Sequence, residues 1–417
     1  MTPQENAQVS TQALRINGDR LSARLRELAL VGGTPDGGVC RLALTPADKE
    51  GRDLVITWMR ELGMSVSIDK IGNVMAVFAG REEGLPVTMG SHIDTVATGG
   101  AYDGNLGVLA GLEVVRILVD AKITPRYPIA VAFFTNEEGA RFAPDMMGSG
   151  VQQGALSLET SLATVGIDGT TVADDLQSIG YAGDRACDFR ARNFLELHIE
   201  QGPVLERDGV QIGAVEGVQG ISWTEVTLHG VSNHAGTTPM SMRNDAAYVA
   251  AAIAVELRAI ASDFGEPQVA TVGSLVLEPN LINVVARKAT LTLDLRNTDE
   301  AVLQKAEARA FAFVEECAAR EGVRFEMKTL ARFEPVTFSP DIIGLVEATA
   351  KELGASVKRM PSGAGHDAQM FVPNCPSGMI FVPSAGGISH NIKEHTDAID
   401  IERGANVLLQ VLLTLVS

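Results

Sequence analysis

The chain has few cysteines, no excess of positive charge and no long apolar segment. Its four cysteines form no C-x-x-C pair and are too few for a disulfide framework, so reduced, buried thiols are expected at Cys40, Cys187, Cys317 and Cys375. The formal net charge of −18 repels polyanions, which argues against nucleic acid and anionic membranes as partners. No apolar run reaches membrane-spanning length, and residues 1–6 lack signal-peptide features. A cytoplasmic location is therefore expected.

The composition is that of an ordinary globular protein. Hydrophobic residues make up 46% of the chain and charged residues 21%. With 417 residues, the chain exceeds the roughly 250 to 300 residues at which a single core stops growing, so two domains are expected. We find no internal repeat and no low-complexity tract.

The first half of the chain alternates strand and helix patterns. β-Branched and apolar segments at residues 69–79, 86–93 and 127–135 predict buried strands, and helical spacing of apolar residues predicts a helix at 107–121. The pattern favours an α/β domain with a mixed, mostly parallel sheet and helices on both faces. In such a sheet, ligands bind at the carboxyl ends of the strands.

A different pattern begins near residue 213 and lasts to about residue 330. It predicts the order βαββαβ, with strands at 223–229, 268–277, 288–297 and 323–329 and helices at 244–262 and 300–321. This order is typical of an inserted ferredoxin-like α+β domain, whose open sheet face or edge could form a homodimer contact. The sequence therefore predicts a discontinuous catalytic domain, 1–212 and 331–417, interrupted by a lid or dimerisation domain, 213–330.

Histidines and carboxylates recur in short stretches that end predicted strands or follow them in loops. These stretches are residues 91–94 (SHID), 102–104 (YDG), 136–139 (NEEG), 197–201 (LHIEQ) and 389–391 (SHN). Three imidazoles and two carboxylates, one of them shared, would give each of two divalent ions three protein ligands and leave a position for water. The pattern predicts a two-metal hydrolase site with Glu137 as a spare base.

Local geometry suggests roles within these stretches. In an extended segment, residues two apart share a face, so the Asp94 carboxylate is expected to accept the second ring N–H of His92 and fix its tautomer. Asp103 lies in a glycine-rich loop before a helix, where a short carboxylate can bridge two ions. Of Glu137 and Glu138, one would bind metal and the other would take a proton from water.

His198 and His390 are weak indicators when each is taken alone. A lone histidine at a strand end is more often structural, and an adjacent glutamate pair is usually a solvated turn. Of the seven histidines, however, only His229 lies outside a glycine-rich or carboxylate-bearing motif. This clustering favours a shared site. His395 is assigned to structure or to the rim of the site.

Four phrases resemble those of the amidase, hydantoinase and carbamoylase family, a branch of the dinuclear zinc peptidase superfamily. They are residues 90–96 (GSHIDTV), 197–203 (LHIEQGP), 233–240 (NHAGTTPM) and 362–367 (SGAGHD). The resemblance extends over essentially the whole chain, from residues 16–21 (INGDRL) to the last predicted helix. The inserted domain of such enzymes closes over the metals and builds the dimer.

The resemblance implies a role for each matching position. One ion would be bound by His92, Asp103 and His198, and the other by Asp103, Glu138 and His390, with Glu137 as general base and Asp94 as a second catalytic residue. The ions would be zinc, manganese, cobalt or nickel. Substrate-binding roles are implied for Gln201, Trp223, His234, Asn283, Arg296, Gly365 and His366, and His234 could serve the partner subunit.

Simpler explanations exist for two of these positions. Arg296 could form an ion pair with Asp294 at a strand end, and Asn283 could shape a turn. Relatives that cleave allantoate tend to carry arginine where this chain has Trp223, and tryptophan suits a smaller or more apolar substrate. The resemblance therefore favours hydrolysis of an N-carbamoyl amino acid, L-α or β. Allantoate, ureidoglycolate, N-acyl amino acids and peptides are the alternative substrates.

Overall fold

The computed structural model describes residues 13–417, so the expectation about residues 1–6 lies outside it. Two compact units are present: one ends at Glu216 and resumes at Thr337, and the other spans Gly217–Val336. These boundaries lie a few residues after the predicted positions 213 and 330. All four cysteines are free, but only Cys317 is fully buried. Among the described residues, no helix is both long enough and apolar enough to cross a membrane.

Helices and strands are numbered here in chain order. The helices are α1 (Gly18–Leu30), α2 (Pro46–Glu61), α3 (Asn105–Asp120), α4 (Met147–Gln153), α5 (Leu158–Leu162), α6 (Val172–Ile179), α7 (Val204–Asp208), α8 (Ala246–Phe264), α9 (Glu300–Glu321), α10 (Pro340–Glu352), α11 (Asp367–Phe371) and α12 (Ala398–Leu415). The strands are β1 (Ser65–Ile68), β2 (Val74–Phe78), β3 (Val87–His92), β4 (Ile129–Phe134), β5 (Asn193–Ile199), β6 (Ile212–Val218), β7 (Gly220–His229), β8 (Val269–Glu278), β9 (Lys288–Asn297), β10 (Arg324–Phe333), β11 (Val336–Thr337), β12 (Val357–Ser362) and β13 (Ser377–Val382).

The first unit is built on a nine-stranded sheet. Its strand order is β1-β2-β4-β3-β5-β13-β6-β11, with β12 paired to β6. The four central strands, β4, β3, β5 and β13, run parallel to one another. On one side β2 is antiparallel to β4 and β1 to β2, and on the other side β6 is antiparallel to β13. Helices α3 and α12 pack against the central strands, as do α4 and α11. The predicted mixed, mostly parallel α/β fold is confirmed.

Strand composition explains this arrangement. Every residue of β3, β4, β5 and β13 is buried, as expected of strands that are covered by helices on both faces. Because these four strands run in one direction, their carboxyl ends meet at the same edge of the sheet. That edge collects the loops that carry the predicted ligands.

The second unit has the predicted order, β7-α8-β8-β9-α9-β10. Its antiparallel sheet has the strand order β10-β7-β9-β8. Strand β9 and helix α9 have the predicted bounds. Residues of β9 alternate between buried and half-buried, because one face of the sheet packs against the helices and the other is open. The separate antiparallel sheet is that of an inserted α+β domain, and its lid and dimerisation roles stay predictions.

Candidate metal centre

The predicted metal ligands of the first unit lie together at the carboxyl edge of its sheet. His92 is the last residue of β3, His198 is near the end of β5, and Glu138 follows β4 after a short turn. Asp103 lies just before α3, and His390 lies in the loop after β13. Parallel neighbouring strands therefore bring to one place residues that are far apart in the sequence.

Asp103 lies at the centre of this group, and its two oxygens face different partners. Its Oδ1 is 3.1 Å from Nε2 of His198 and 3.6 Å from Nε2 of His92. Its Oδ2 is 3.4 Å from Nε2 of His390, which is also 3.1 Å from Oε2 of Glu138. A carboxylate with one oxygen toward each ligand group has the arrangement of a bridging ligand.

The donor atoms fit two divalent cations. His92, Asp103 and His198 form one group, and Asp103, Glu138 and His390 form another, with the ligand atoms of each group within 4.8 Å of one another. Imidazole and carboxylate donors suit zinc and related first-row ions. These groups coincide with the two ligand sets that the family resemblance implied, and their binding of ions stays a prediction.

The negative charge of the carboxylates among the predicted ligands also favours the binding of cations. Burial alone would raise the pKa of Asp103, but hydrogen bonds with His198 and His390 outweigh it and hold the pKa well below its ordinary value. The carboxylates of Asp103 and Glu138 raise the pKa of His390 to about 10. The carboxylates therefore favour positive charge at the positions of the imidazole nitrogens, where a metal ion would replace the protons.

Asp94 occupies the predicted place but makes different contacts. Nδ1 of His92 is 2.9 Å from the backbone carbonyl of Asp94, so the prediction that its carboxylate accepts the ring N–H is wrong. The reason is that β3 ends at His92, so the alternation of an extended strand stops there. The Asp94 carboxylate instead accepts the backbone N–H groups of Glu137 and Glu138, each at 3.3 Å. It therefore fixes the turn that carries both glutamates.

Glu137 is next to the first ligand group but belongs to neither. Its Oε2 is 3.3 Å from Nε2 of His92, and the side chain is buried. Burial raises the pKa of Glu137 well above its ordinary value, while His92 opposes the shift. A carboxylate whose proton affinity is raised beside the ligands has the properties of a general base.

Gln201 and Ser389 both contact Oδ2 of Asp103. The Gln201 amide donates to this oxygen at 2.8 Å, and the Ser389 hydroxyl donates to it at 3.0 Å. Because the amide nitrogen is fixed by the carboxylate, Oε1 of Gln201 faces the other way and is a buried acceptor without a partner in the described part of the chain. That oxygen could accept a substrate N–H, so the predicted substrate role of Gln201 stays a prediction.

His366 and Gly365 lie in the loop between β12 and α11. Nε2 of His366 is 2.8 Å from the Ser362 hydroxyl, and the His366 backbone carbonyl accepts the backbone N–H of Gln369 at 3.0 Å at the start of α11. Burial, followed by the charge of His198, lowers the pKa of His366 well below its ordinary value, so the ring is neutral. A side chain at Gly365 would collide with Met146. Their predicted substrate contacts stay predictions.

The sequence analysis did not single out Glu196 and Glu394, which are buried carboxylates close to the predicted ligands. Glu196 accepts the Ser91 hydroxyl at 2.6 Å and the Ala368 backbone N–H at 2.9 Å. Glu394 accepts backbone N–H groups from the Asp103 loop and lies in the same loop as His390. Glu394 could have been noticed because it follows the predicted ligand His390 by four residues. Its hydrogen-bond partners, however, belong to a distant part of the sequence.

The remaining predicted residues belong to the second unit. Arg296 pairs with Asp294 through two nitrogens, at 3.0 Å for both Nε and Nη2, so the simpler explanation considered for Arg296 is present in the structure. Its guanidinium lies 5.7 Å from the ring centroid of Trp223. The backbone carbonyl of Asn283 accepts the N–H of Ala235, which places Asn283 beside the His234 loop.

His234 lies in an exposed loop of the second unit. Its Nδ1 accepts the backbone N–H groups of Gly236 and Thr237, at 3.0 and 3.2 Å. These bonds fix the tautomer, because a nitrogen that accepts hydrogen bonds carries no proton, and they leave the proton of the neutral ring on Nε2. The ring is therefore oriented as a donor, and its predicted role in a partner subunit stays a prediction.

Known proteins resemble this chain over most of its length. The profile of Peptidase family M20/M25/M40 matches residues 88–414. An N-carbamoyl-L-amino-acid amidohydrolase of Rhizobium meliloti is 41% identical, with 96% of each chain covered. An allantoate amidohydrolase of Bacillus subtilis is 34% identical, with 93% of this chain and 95% of the relative covered. A solved amidase of the hydantoinase/carbamoylase family from Burkholderia multivorans is 43% identical with a TM-score of 0.93, covering 97% of this chain and 99% of that one.

These likenesses agree with the local geometry. The family consists of metal-dependent hydrolases, and the first unit brings together two groups of metal-type ligands. The prediction of a hydrolase that acts on amide C–N bonds is confirmed. The chain belongs to Peptidase family M20/M25/M40 and, within it, to the amidases of the hydantoinase/carbamoylase family.

Proposed function

We propose that this chain hydrolyses N-carbamoyl-L-amino acids to the free amino acid, carbon dioxide and ammonia. The observation that carries the proposal is the position of Asp103, whose two oxygens face two separate ligand groups, with Glu137 at the edge of the first. The relatives named N-carbamoyl-L-amino-acid amidohydrolase, which match over nearly the full chain, support this choice of substrate.

The chain's own residues have separate tasks in this reaction. His92, Asp103 and His198 would bind one ion, and Asp103, Glu138 and His390 the other. When bound, the ions would polarise the ureido carbonyl and lower the pKa of water. Oε2 of Glu137 takes the proton from the attacking water and returns it to the leaving nitrogen. Asp94 keeps the Glu137 backbone in place through its hydrogen bond.

The substrate is expected to be recognised by its carboxylate and by its small ureido group. Arg296 is the proposed carboxylate ligand, since a guanidinium matches a carboxylate with two parallel hydrogen bonds. The Gln201 Oε1, a buried acceptor, suits an N–H of the ureido group. Trp223 lies beside Arg296 and favours an N-carbamoyl amino acid over allantoate, whose second ureido arm would need an additional polar partner.

A substrate panel tests this proposal. The protein is stripped with a chelator, reloaded separately with zinc, manganese, cobalt or nickel, and assayed for ammonia or amino acid release. The panel contains N-carbamoyl-L-, N-carbamoyl-D- and N-carbamoyl-β-amino acids, allantoate, ureidoglycolate, N-acetyl amino acids and dipeptides. The highest kcat/KM is expected with an N-carbamoyl-L-amino acid. A higher value with allantoate, an N-acetyl amino acid or a dipeptide would contradict the substrate assignment.

We also propose that the second unit forms a homodimer through strand β8. This strand is at the edge of its sheet, and Val269, Leu275 and Val276 are exposed on it. An exposed apolar edge strand is a template for pairing with another chain, and pairing with a second copy would cover it. Light scattering should give twice the chain mass, and Val276→Lys should give monomer. A wild-type monomer at micromolar concentration would contradict the proposal.

A further inference from the structure

Glu394 is a buried carboxylate with no role in the proposed reaction. Only 6% of it is exposed, and it lies in the loop that carries His390. One of its oxygens, Oε1, accepts the backbone N–H groups of Tyr102 and Asp103, both at 3.1 Å. The other, Oε2, lies 3.0 Å from the Ser389 hydroxyl oxygen. Its hydrogen bonds thus join two loops that each carry a predicted ligand.

Glu394 reaches Asp103 by two routes. The first is direct, through the Asp103 backbone N–H. The second passes through Ser389, whose hydroxyl lies 3.0 Å from Oε2 of Glu394 and 3.0 Å from Oδ2 of Asp103. That Asp103 oxygen is the one that faces His390. Glu394 therefore constrains both the backbone and the side chain of the residue placed to bridge the two ligand groups.

The Glu394 side chain occupies space that is free only because residue 100 is a glycine. Gly100 packs against Glu394 so closely that a Cβ at Gly100 would overlap Cβ and Oε1 of Glu394. Gly100 is absent from the residues with positive φ, so its backbone conformation is open to other residues. The space occupied by Glu394, and not the backbone, is therefore what requires a glycine here.

The two ligand groups differ in how their histidines are held. In the first group, Nδ1 of His92 and Nδ1 of His198 are each fixed by a backbone carbonyl, at 2.9 and 2.8 Å, and both residues belong to buried strands. In the second group, the His390 side chain is 51% exposed and lies in a loop. The second group therefore depends more on contacts that hold its loop.

We propose that Glu394 is a positioning residue for the ion bound by Asp103, Glu138 and His390. This inference rests on the metal centre of the proposed function. Partners of metal ligands in the surrounding shell orient those ligands, and their loss typically weakens metal binding by about 10- to 100-fold. Glu394 lies in the loop of His390, and Ser389 joins it to Oδ2 of Asp103, the oxygen that faces the second group. Its loss is therefore expected to weaken the second ion selectively.

The test is a zinc titration of the full chain at buffered free zinc concentrations, with bound metal measured by mass spectrometry. Wild type should fill in two steps. In Glu394→Ala, the second step is expected at roughly 10- to 100-fold higher free zinc, with the first step within about threefold of wild type. Glu394→Gln keeps an oxygen for the two backbone N–H groups and should recover part of the loss. A second step within threefold of wild type in Glu394→Ala would overturn the proposal.

Two further variants separate this role from general stability. Asp69 is also a buried carboxylate that accepts backbone N–H groups, from Ile71 and Asn73, so Asp69→Ala is the matched control and should leave both zinc steps in place. Gly100→Ala should displace Glu394 without removing it and shift the second step in the same direction. If Glu394→Ala does not fold, Gly100→Ala decides, and an unshifted second step there overturns the proposal. A wild-type chain that binds fewer than two ions contradicts the proposed metal centre instead.

Discussion

The adjacent glutamates at the end of β4 offer a sharp test of the chemistry, because the structure gives them different surroundings. Glu137 is 3.3 Å from Nε2 of His92, whereas Glu138 is 3.1 Å from Nε2 of His390. Glu137 belongs to neither ligand group, and Glu138 belongs to the second. Glu137→Gln is therefore expected to remove the base and to retain both ions.

The size of the effect follows from the role and the contacts. A positioned general base contributes about 10²- to 10⁴-fold, which corresponds to roughly 3 to 5 kcal/mol in activation free energy. Glutamine has nearly the same shape as glutamate. The backbone N–H of residue 137 donates to Asp94 and its backbone carbonyl accepts the Met146 N–H, and the substitution leaves both hydrogen bonds unchanged. The side chain contacts Nε2 of His92 at 3.3 Å, a position that a glutamine oxygen or nitrogen can also occupy. The fold and the metal content should therefore be preserved.

The measurement combines kcat for an N-carbamoyl-L-amino acid with metal content per chain. Glu137→Gln should lose about 10²- to 10⁴-fold in kcat with two ions bound. Glu138→Gln makes the same chemical change at the neighbouring residue. This variant should instead lose the second ion when the metal concentration is limiting. Excess metal should restore part of the activity of Glu138→Gln and none of that of Glu137→Gln.

Two outcomes would refute the reasoning. Glu137→Gln with wild-type kcat would show that the proton is taken by another group. Loss of metal from Glu137→Gln, with metal retained in Glu138→Gln, would exchange the roles of the two residues. The geometry around His92 and His390 would then require a different assignment.

Other predictions concern the second unit and the stability of the first. Arg296→Ala should raise KM by roughly 10- to 100-fold for substrates with a carboxylate, since a hydrogen bond to a charged group contributes about 1.5 to 3 kcal/mol, and should leave KM for an N-carbamoyl amine unchanged. An unchanged KM for the carboxylate-bearing substrate would instead assign Arg296 to the structural role of its ion pair with Asp294. Burial raises the pKa of Asp69 to about 6, so between about pH 4 and pH 6 the folded chain keeps a proton that the unfolded chain has lost. The free energy of unfolding should therefore fall as pH rises from about 4 to about 6, by roughly 3 kcal/mol at most. Asp69→Asn should reduce this slope in urea unfolding followed by fluorescence of the buried Trp58 in a Trp223→Phe background. Part of the slope should remain, because burial also raises the pKa of Asp94 to about 6. An unchanged slope would exclude a contribution from Asp69.

Much of the fold could be predicted from residue pattern. Strand β9 and helix α9 have the predicted bounds because alternating and helical apolar patterns mark their buried faces directly. The apolar strand β4 indicated burial on both faces, which requires helices on both sides of the sheet. The bounds and burial of these elements depend on residues that are close in the sequence, so they can be predicted from the local residue pattern.

The metal-type residues of the candidate site were also recognisable, because histidine and carboxylate motifs at strand ends have few other uses when they cluster. Their detailed contacts were less predictable. The contact of His92 was assigned to the Asp94 side chain and is made by the Asp94 carbonyl, since the strand ends at His92, two residues before Asp94. Beyond the end of a strand, side chains no longer alternate between its two faces.

The sequence by itself determined the α/β class, the inserted α+β pattern and the kinds of donor atom available to metal ions. Only the tertiary structure decided which oxygen of Asp103 faces which histidine, and that Glu394 joins the Asp103 loop to the His390 loop. The physical reason is distance along the chain. Helix and strand patterns arise from contacts between near neighbours, whereas Ser389 and Asp103 meet across 286 positions through parallel strands whose order no local pattern specifies.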